Sequence, residues 1–333
     1  MRQILYILIG AFVIVPTLLL SYQVGTPKYM AASAYFNSPA LTFNNSKKQT
    51  IPVVIKIVPE RNLEIPDIET DATSMLIWDF KEDFNYYSKN AEEPRPIASL
   101  TKLITAAIVL DYVDPQETTS VSAKAIRNEG NSGNLKEGEV LTIKDLLAAA
   151  LLESSNDAAY ALAEHVGGKL QTNPEAKANA SPVREFVRMM NLKFNDLGLL
   201  HSNFIDPAGL EDIDSFTTAN DFSKFIKYLR ENPKYVLIWN ILKMQNYNTK
   251  SLNAIAIHNF KSTNPFLGEY PNIIGGKTGF TNRALGNMVL VTTSSNNTEI
   301  IYLVLGSNDR FSQIRKAIKW VEEAWSWPNN TQQ

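Results

Sequence analysis

Ser99 and Lys102 are the residues in this chain best placed to do chemistry. A serine followed three positions later by a lysine shares one face of a helix, so hydroxyl and amine can meet. The run from Leu100 to Leu110 is apolar nearly all round, the pattern of a buried helix. Burial disfavours a charged ammonium, and a neutral amine beside a hydroxyl is a general base beside a nucleophile. Taken alone, the pair also reads as a helix-capping serine with a lysine reaching solvent.

Two more polar groups stand where apolar runs stop. Ser154, Ser155, Asn156 and Asp157 interrupt an alanine and leucine run, as residues that compete for backbone hydrogen bonds do. By itself that cluster is equally a connector between two helices. Ile273-Ile274 leads into Gly275-Gly276-Lys277-Thr278-Gly279-Phe280-Thr281, which lacks the spacing of a phosphate-binding loop. His165, His201 and His258 lie far apart with no ligand spacing, so neither a metal nor another cofactor is expected.

Several elements must bring these groups together. Ser74–Phe80 and Phe84–Ser88 bracket a polar turn and predict a hairpin. A helix follows at Ser99. Thr142-Ile-Lys-Asp145 fits a capping box and opens an apolar helix through Leu152. Further helices are predicted over Ala158–Val166, ending at Gly167-Gly168, and over Pro182–Leu197, ending at Gly198. Thr218-Ala-Asn-Asp221 reads as a second capping box, opening a helix to about Arg230, and Tyr235–Met244 is helical. From Tyr247 the period turns toward strands. Met288–Thr293 and Ile300–Leu305 predict a hairpin of buried strands, and Phe311–Trp325 an amphipathic helix. Strands at both ends and helices between them predict an α/β fold of the α+β type. In it an antiparallel sheet is flanked by N- and C-terminal helices, with a helical region inserted at about residues 113–245.

Composition narrows the function. The 333 residues suffice for a substantial core, and the formal charge of −2 points to no nucleic-acid partner. With no cysteine, disulfides, thiolate metal sites and a cysteine nucleophile are excluded.

Taken in order, Ser99-x-x-Lys102, Ser154-x-Asn156 and Lys277-Thr278-Gly279 resemble the motifs of penicillin-binding proteins and serine β-lactamases. The flanks Ala98–Lys102, Ser154–Ala158, Asp206–Leu210 and Gly276–Thr281 resemble low-molecular-mass D-alanyl-D-alanine carboxypeptidases, over about Ser74 to Trp325. The resemblance implies a serine peptidase acting on peptidoglycan stem peptides that end in D-Ala-D-Ala, and acylated by β-lactam antibiotics. It assigns Ser99 as nucleophile, Lys102 as its base and Ser154 as a proton relay to the leaving amine. Asn156 would bind the substrate peptide, Lys277 and Thr278 its carboxylate, and Gly279 would let its backbone lie against the strand. Ser99 and Phe280 would supply the oxyanion N–H groups, and Arg310 would lie near the substrate carboxylate. Ser155 stands where such enzymes often have glycine, which should tune activity and not abolish it. Glu175 and Asn179 have the spacing of a deacylating pair but sit in an alanine-rich polar loop, so slow release of β-lactams is expected. The alternatives are a D,D-endopeptidase or β-lactamase with the same site, and a catalytically slow sensor of β-lactams or wall peptides.

The N-terminus predicts location. Ile4–Leu20 carries no charge, reaches the lower end of a membrane span, and follows Arg2. An uncleaved anchor is favoured over a signal peptide, because Ala32-Ser33-Ala34 lies far from the apolar run. The expected layout is an anchor or signal segment over 1–22, an extracytoplasmic spacer over 23–71, a catalytic domain over 72–327 and a tail over 328–333. The catalytic domain then sits outside the bacterial cell membrane.

Overall fold

The computed structural model describes residues 58–127, 134–171, 181–210 and 214–328. In chain order the elements are β1 (Glu60–Arg61), β2 (Ser74–Asp79), β3 (Phe84–Lys89), α1 (Thr101–Tyr112), β4 (Thr118–Ser120), β5 (Val140–Thr142), α2 (Ile143–Ala148) and α3 (Asn156–Leu170). They continue with α4 (Pro182–Asp196), α5 (Ala219–Glu231), α6 (Val236–Leu242), β6 (Asn246–Lys250) and β7 (Ile257–Lys261). The last are β8 (Ile273–Thr281), β9 (Leu285–Thr293), β10 (Glu299–Ser307), α7 (Arg310–Ala324) and β11 (Trp325–Ser326).

Early and late strands build one antiparallel sheet in the order β3-β2-β10-β9-β8, as the split of strands between the chain's ends implies. Strand alternation divides its side chains between two cores. Leu76, Val289, Val291, Ile301 and Leu303 join the helical layer. Met75, Leu290, Tyr302 and Val304 face α7, whose Ile314, Ala317 and Val321 close that side. The helix α1 is buried from Thr101 through Leu110, so the apolar run around the serine forms the middle of the larger core.

The α+β architecture is the expected one, with local differences. Ahead of β2, no helix stands among the described residues. Part of the predicted spacer packs there instead: β1 pairs with β11, Ile68 and Ala72 join the α7-side core, and the Trp320 indole donates to Pro66 O at 2.9 Å. Asp71 accepts from the Ser307 hydroxyl at 2.8 Å, tying this segment to the sheet just before the catalytic domain's expected start. The helix predicted to stop at Gly167-Gly168 runs on to Leu170. Gly167 serves close approach and not termination, since a Cβ there would lie 1.9 Å from Pro182 O. The Thr142 box forms both of its bonds. At α5, Thr218 accepts from Asp221 N, but the Asp221 carboxylate turns to His201 N and the Ser202 hydroxyl.

Ile4–Leu20 lies outside the described residues. Among those described, no helix is long and apolar enough to cross a membrane.

Candidate active site

The 3-10 turn Ala98–Leu100 delivers Ser99 to the start of α1. Ala98 holds a left-handed φ of 48°, a costly conformation for a residue with a Cβ. Neighbouring groups hold the turn in place. The Thr101 hydroxyl donates to Ala98 O at 2.8 Å, and β8 passes against it at Gly279, where a Cβ would meet Ile97 O at 2.8 Å and Ser99 N at 3.0 Å. Gly209, with φ of +79°, lies against the turn's other side, where a Cβ would fall 2.0 Å from Ala98 O.

In the first turn of α1, Lys102 is 0% exposed, and its Nζ lies 2.8 Å from Ser99 Oγ, 2.8 Å from Asn156 Oδ1 and 2.9 Å from Ala208 O. Burial pulls this amine down to about 7, against the opposing charge of Asp206. A neutral amine has two N–H donors and a lone pair. With the donors on Asn156 and Ala208, the lone pair is left to take the Ser99 proton.

The second polar group arrives from α2. That helix widens into a single π turn over Ala149–Glu153, a deformation common at functional sites, and Ser154 follows with a left-handed φ of 65°. The chain then re-enters a helix at once, because the Ser155 hydroxyl caps α3 by accepting from Ala158 N at 3.2 Å. Ser155 is fully buried and caps α3, a structural role for the serine at a position where such enzymes often have glycine. Asn156 thereby becomes the first residue of α3 and reaches Lys102.

The third group lies on β8, at the outer edge of the sheet. Lys277, 1% exposed, donates to Ser154 Oγ at 2.9 Å and to Thr278 O at 3.0 Å. Burial first, then the charges of Lys102 and Arg310, hold its amine well below the ordinary lysine range. The Thr278 hydroxyl pairs with that of Thr263 at 2.7 Å. Phe280 is 56% exposed. The Arg310 guanidinium lies 6.0 Å from the Phe280 ring and 4.5 Å from that of Phe311. Arg310 is therefore half-buried beside β8, and its Nε is buried without a hydrogen-bond partner among the described residues.

Three segments far apart in sequence thus meet around one hydroxyl, forming a Ser99–Lys102–Asn156 chain and a Ser154–Lys277 pair. The model of the D-alanyl-D-alanine carboxypeptidase family, peptidase S11, matches residues 60–309. This chain belongs to that family. It is a serine-type peptidase. A D-alanyl-D-alanine endopeptidase of Pseudomonas aeruginosa is 29% identical over 267 residues, covering 76% of this chain and 78% of its own. The D-alanyl-D-alanine carboxypeptidase DacF of Bacillus subtilis is 28% identical, covering 70% of this chain and 57% of its own. Among solved structures, a point mutant of the Streptomyces K15 DD-transpeptidase aligns with a TM-score of 0.67 at 25% identity, over 77% of this chain and 98% of that one.

Several supporting residues carried no assignment in the sequence reading. Asp206 accepts backbone N–H groups from Ala208 at 2.7 Å and Gly209 at 2.6 Å, shaping the loop that presents Ala208 O to Lys102. The Thr105 hydroxyl binds the same loop at Pro207 O, 2.6 Å away. An Asp-Pro-x-Gly stretch signals such a turn but not its neighbours. Asp157 is fully buried beside Asn156, with both carboxylate oxygens unpartnered among the described residues, and burial pushes its carboxyl up to about 6.

Proposed function

We propose that this carboxypeptidase-family enzyme releases the terminal D-alanine of wall stem peptides through an acyl-enzyme on Ser99, and that penicillins acylate the same atom. The observation that carries the reading is the 2.8 Å contact between the Ser99 hydroxyl and a fully buried Lys102 amine. Neutral Lys102 takes the Ser99 proton as Oγ attacks the carbonyl carbon between the two D-alanines. The backbone N–H groups of Ser99 and Phe280 receive the oxyanion, each worth ~3 kcal/mol of transition-state stabilisation. Collapse breaks the C–N bond, and Ser154 passes a proton to the departing amine. Water then cleaves the ester and regenerates Ser99.

Binding uses the remaining groups. Asn156 holds Lys102 through its carbonyl oxygen and donates its amide to the substrate peptide. Lys277, Thr278 and Arg310 receive the terminal carboxylate. An arriving carboxylate favours the charged form of Lys277, whose charge burial and neighbouring cations disfavour in the free enzyme. Gly279 keeps the edge of β8 low enough for the substrate backbone.

Ile4–Leu20 would anchor the protein, with the domain at 72–327 on the outer side of the membrane. A second reading, cleavage of cross-links by the same site, is favoured by the endopeptidase relatives of Pseudomonas aeruginosa and Escherichia coli. One assay separates the two. Incubation with a D-Ala-D-Ala pentapeptide and with a cross-linked dimer should release D-alanine from the first faster than it splits the second. The reverse order would make the enzyme an endopeptidase, and turnover of neither by folded protein would leave a sensor.

A further inference from the structure

On the α7 face of the sheet, away from the helical layer, a cavity of about 180 Å³ opens between α7 and the ends of β9 and β10. Its apolar wall combines four aromatic residues, Tyr86, Tyr302, Trp325 and Trp327, with aliphatic ones from β10 and α7. Its polar residues include Thr293 and the exposed Glu322. The aromatic side is a built cluster. Trp325 packs edge-on against Phe84 at 5.2 Å, Tyr86 at 5.5 Å and Trp320 at 6.2 Å between ring centres. The Trp327 indole donates to the Tyr86 hydroxyl at 3.0 Å.

We infer that this cavity is a saccharide-binding site that seats one pyranose ring of the wall's glycan strand. The inference rests on the wall-peptide reading above, which supplies a substrate carrying β-1,4-linked amino sugars. A pyranose presents C–H faces to aromatic rings and hydroxyls around its edge. Large rings with a few polar groups at the margin form the matching surface. A cavity of this volume has room for a single ring. The site lies on the opposite sheet face from the Ser99–Lys102 contact, so glycan and peptide do not compete. Holding the strand here would raise the local concentration of stem peptides at the catalytic edge.

Two of the chain's five tryptophans line the cavity, so intrinsic fluorescence reads its occupancy. Chitotetraose titrated into the full chain should give a saturable fluorescence change, unaltered after pretreatment with benzylpenicillin. Trp327→Ala should weaken binding by about tenfold, the worth of one aromatic contact. Ile318→Trp, which fills the cavity from α7 and keeps every ring, should weaken it at least as much. Absence of saturable binding, loss of binding on penicillin treatment, or undiminished binding in the folded Ile318→Trp protein would each overturn the site. D-alanine release measured on the same samples reports the catalytic reading separately. Sugar binding without release sinks that reading and leaves the site, and release without sugar binding does the reverse.

Discussion

Replacing Lys102 with alanine is expected to slow acylation of Ser99 by ~10³-fold or more, the usual worth of a positioned base acting on a nucleophile. The amine has no substitute nearby, because the buried Lys277 is engaged with Ser154 and Thr278 O. The measurement is the second-order rate of benzylpenicillin acylation, with the thermal midpoint recorded to show that the protein is folded. The wild-type rate should also depend on pH in one direction. Lys102 acts only when neutral, and burial pulls its amine down to about 7. Acylation should therefore rise as pH climbs through that value and level off above it, falling about tenfold for each unit below. A folded alanine variant that keeps more than about a tenth of the wild-type rate would move the base elsewhere, with the Ser154–Lys277 pair next in line.

Gly209→Ala should be among the most destabilising single-methyl changes in the protein. Its Cβ would fall 2.0 Å from Ala98 O and 2.8 Å from Thr101 Oγ1, at a φ of +79°. The contacted atoms are mainly backbone of the nucleophile turn, so they cannot swing away without moving Ser99. The expected cost is more than about 3 kcal/mol, or roughly a 10 °C fall in thermal midpoint, together with slower acylation. Gly138→Ala is the matched control. It has nearly the same φ, +78°, but no heavy atom within 4 Å of its added Cβ, so only the backbone penalty of about 1–2 kcal/mol applies. Equal losses in the two variants would mean that the loop at Gly209 does not brace the turn.

Much of the arrangement was legible in the sequence because each part obeys a local rule. The i, i+3 spacing placed Ser99 and Lys102 on one helix face, and the apolar run around them announced burial. The buried strands at Met288–Thr293 and Ile300–Leu305 were readable from composition and turn residues, and so was the helix that follows. Local rules gave no access to contacts made across the fold. Gly167-Gly168 looks like a helix stop, yet Gly167 admits the backbone of Pro182 and the helix continues. Asp221 looks like half of a capping box, but His201 and Ser202 claim its carboxylate. Ser155 reads as a departure from a motif until its hydroxyl is seen to cap α3. The bracing of Ser99 by Asp206 and Gly209 joins segments about a hundred residues apart, which no periodicity can express. The anchor, spacer and catalytic-domain boundaries rest on composition, although Glu60–Arg61 and Asp71 are already bonded to the domain's far end.

Intact mass after incubation with benzylpenicillin tests the central claim most directly. The wild-type chain should gain one penicilloyl mass, peptide mapping should place it on Ser99, and Ser99→Ala should gain nothing while keeping its thermal midpoint. An adduct that persists in Ser99→Ala, or one that maps to another residue, would contradict the assignment of Ser99 as the nucleophile.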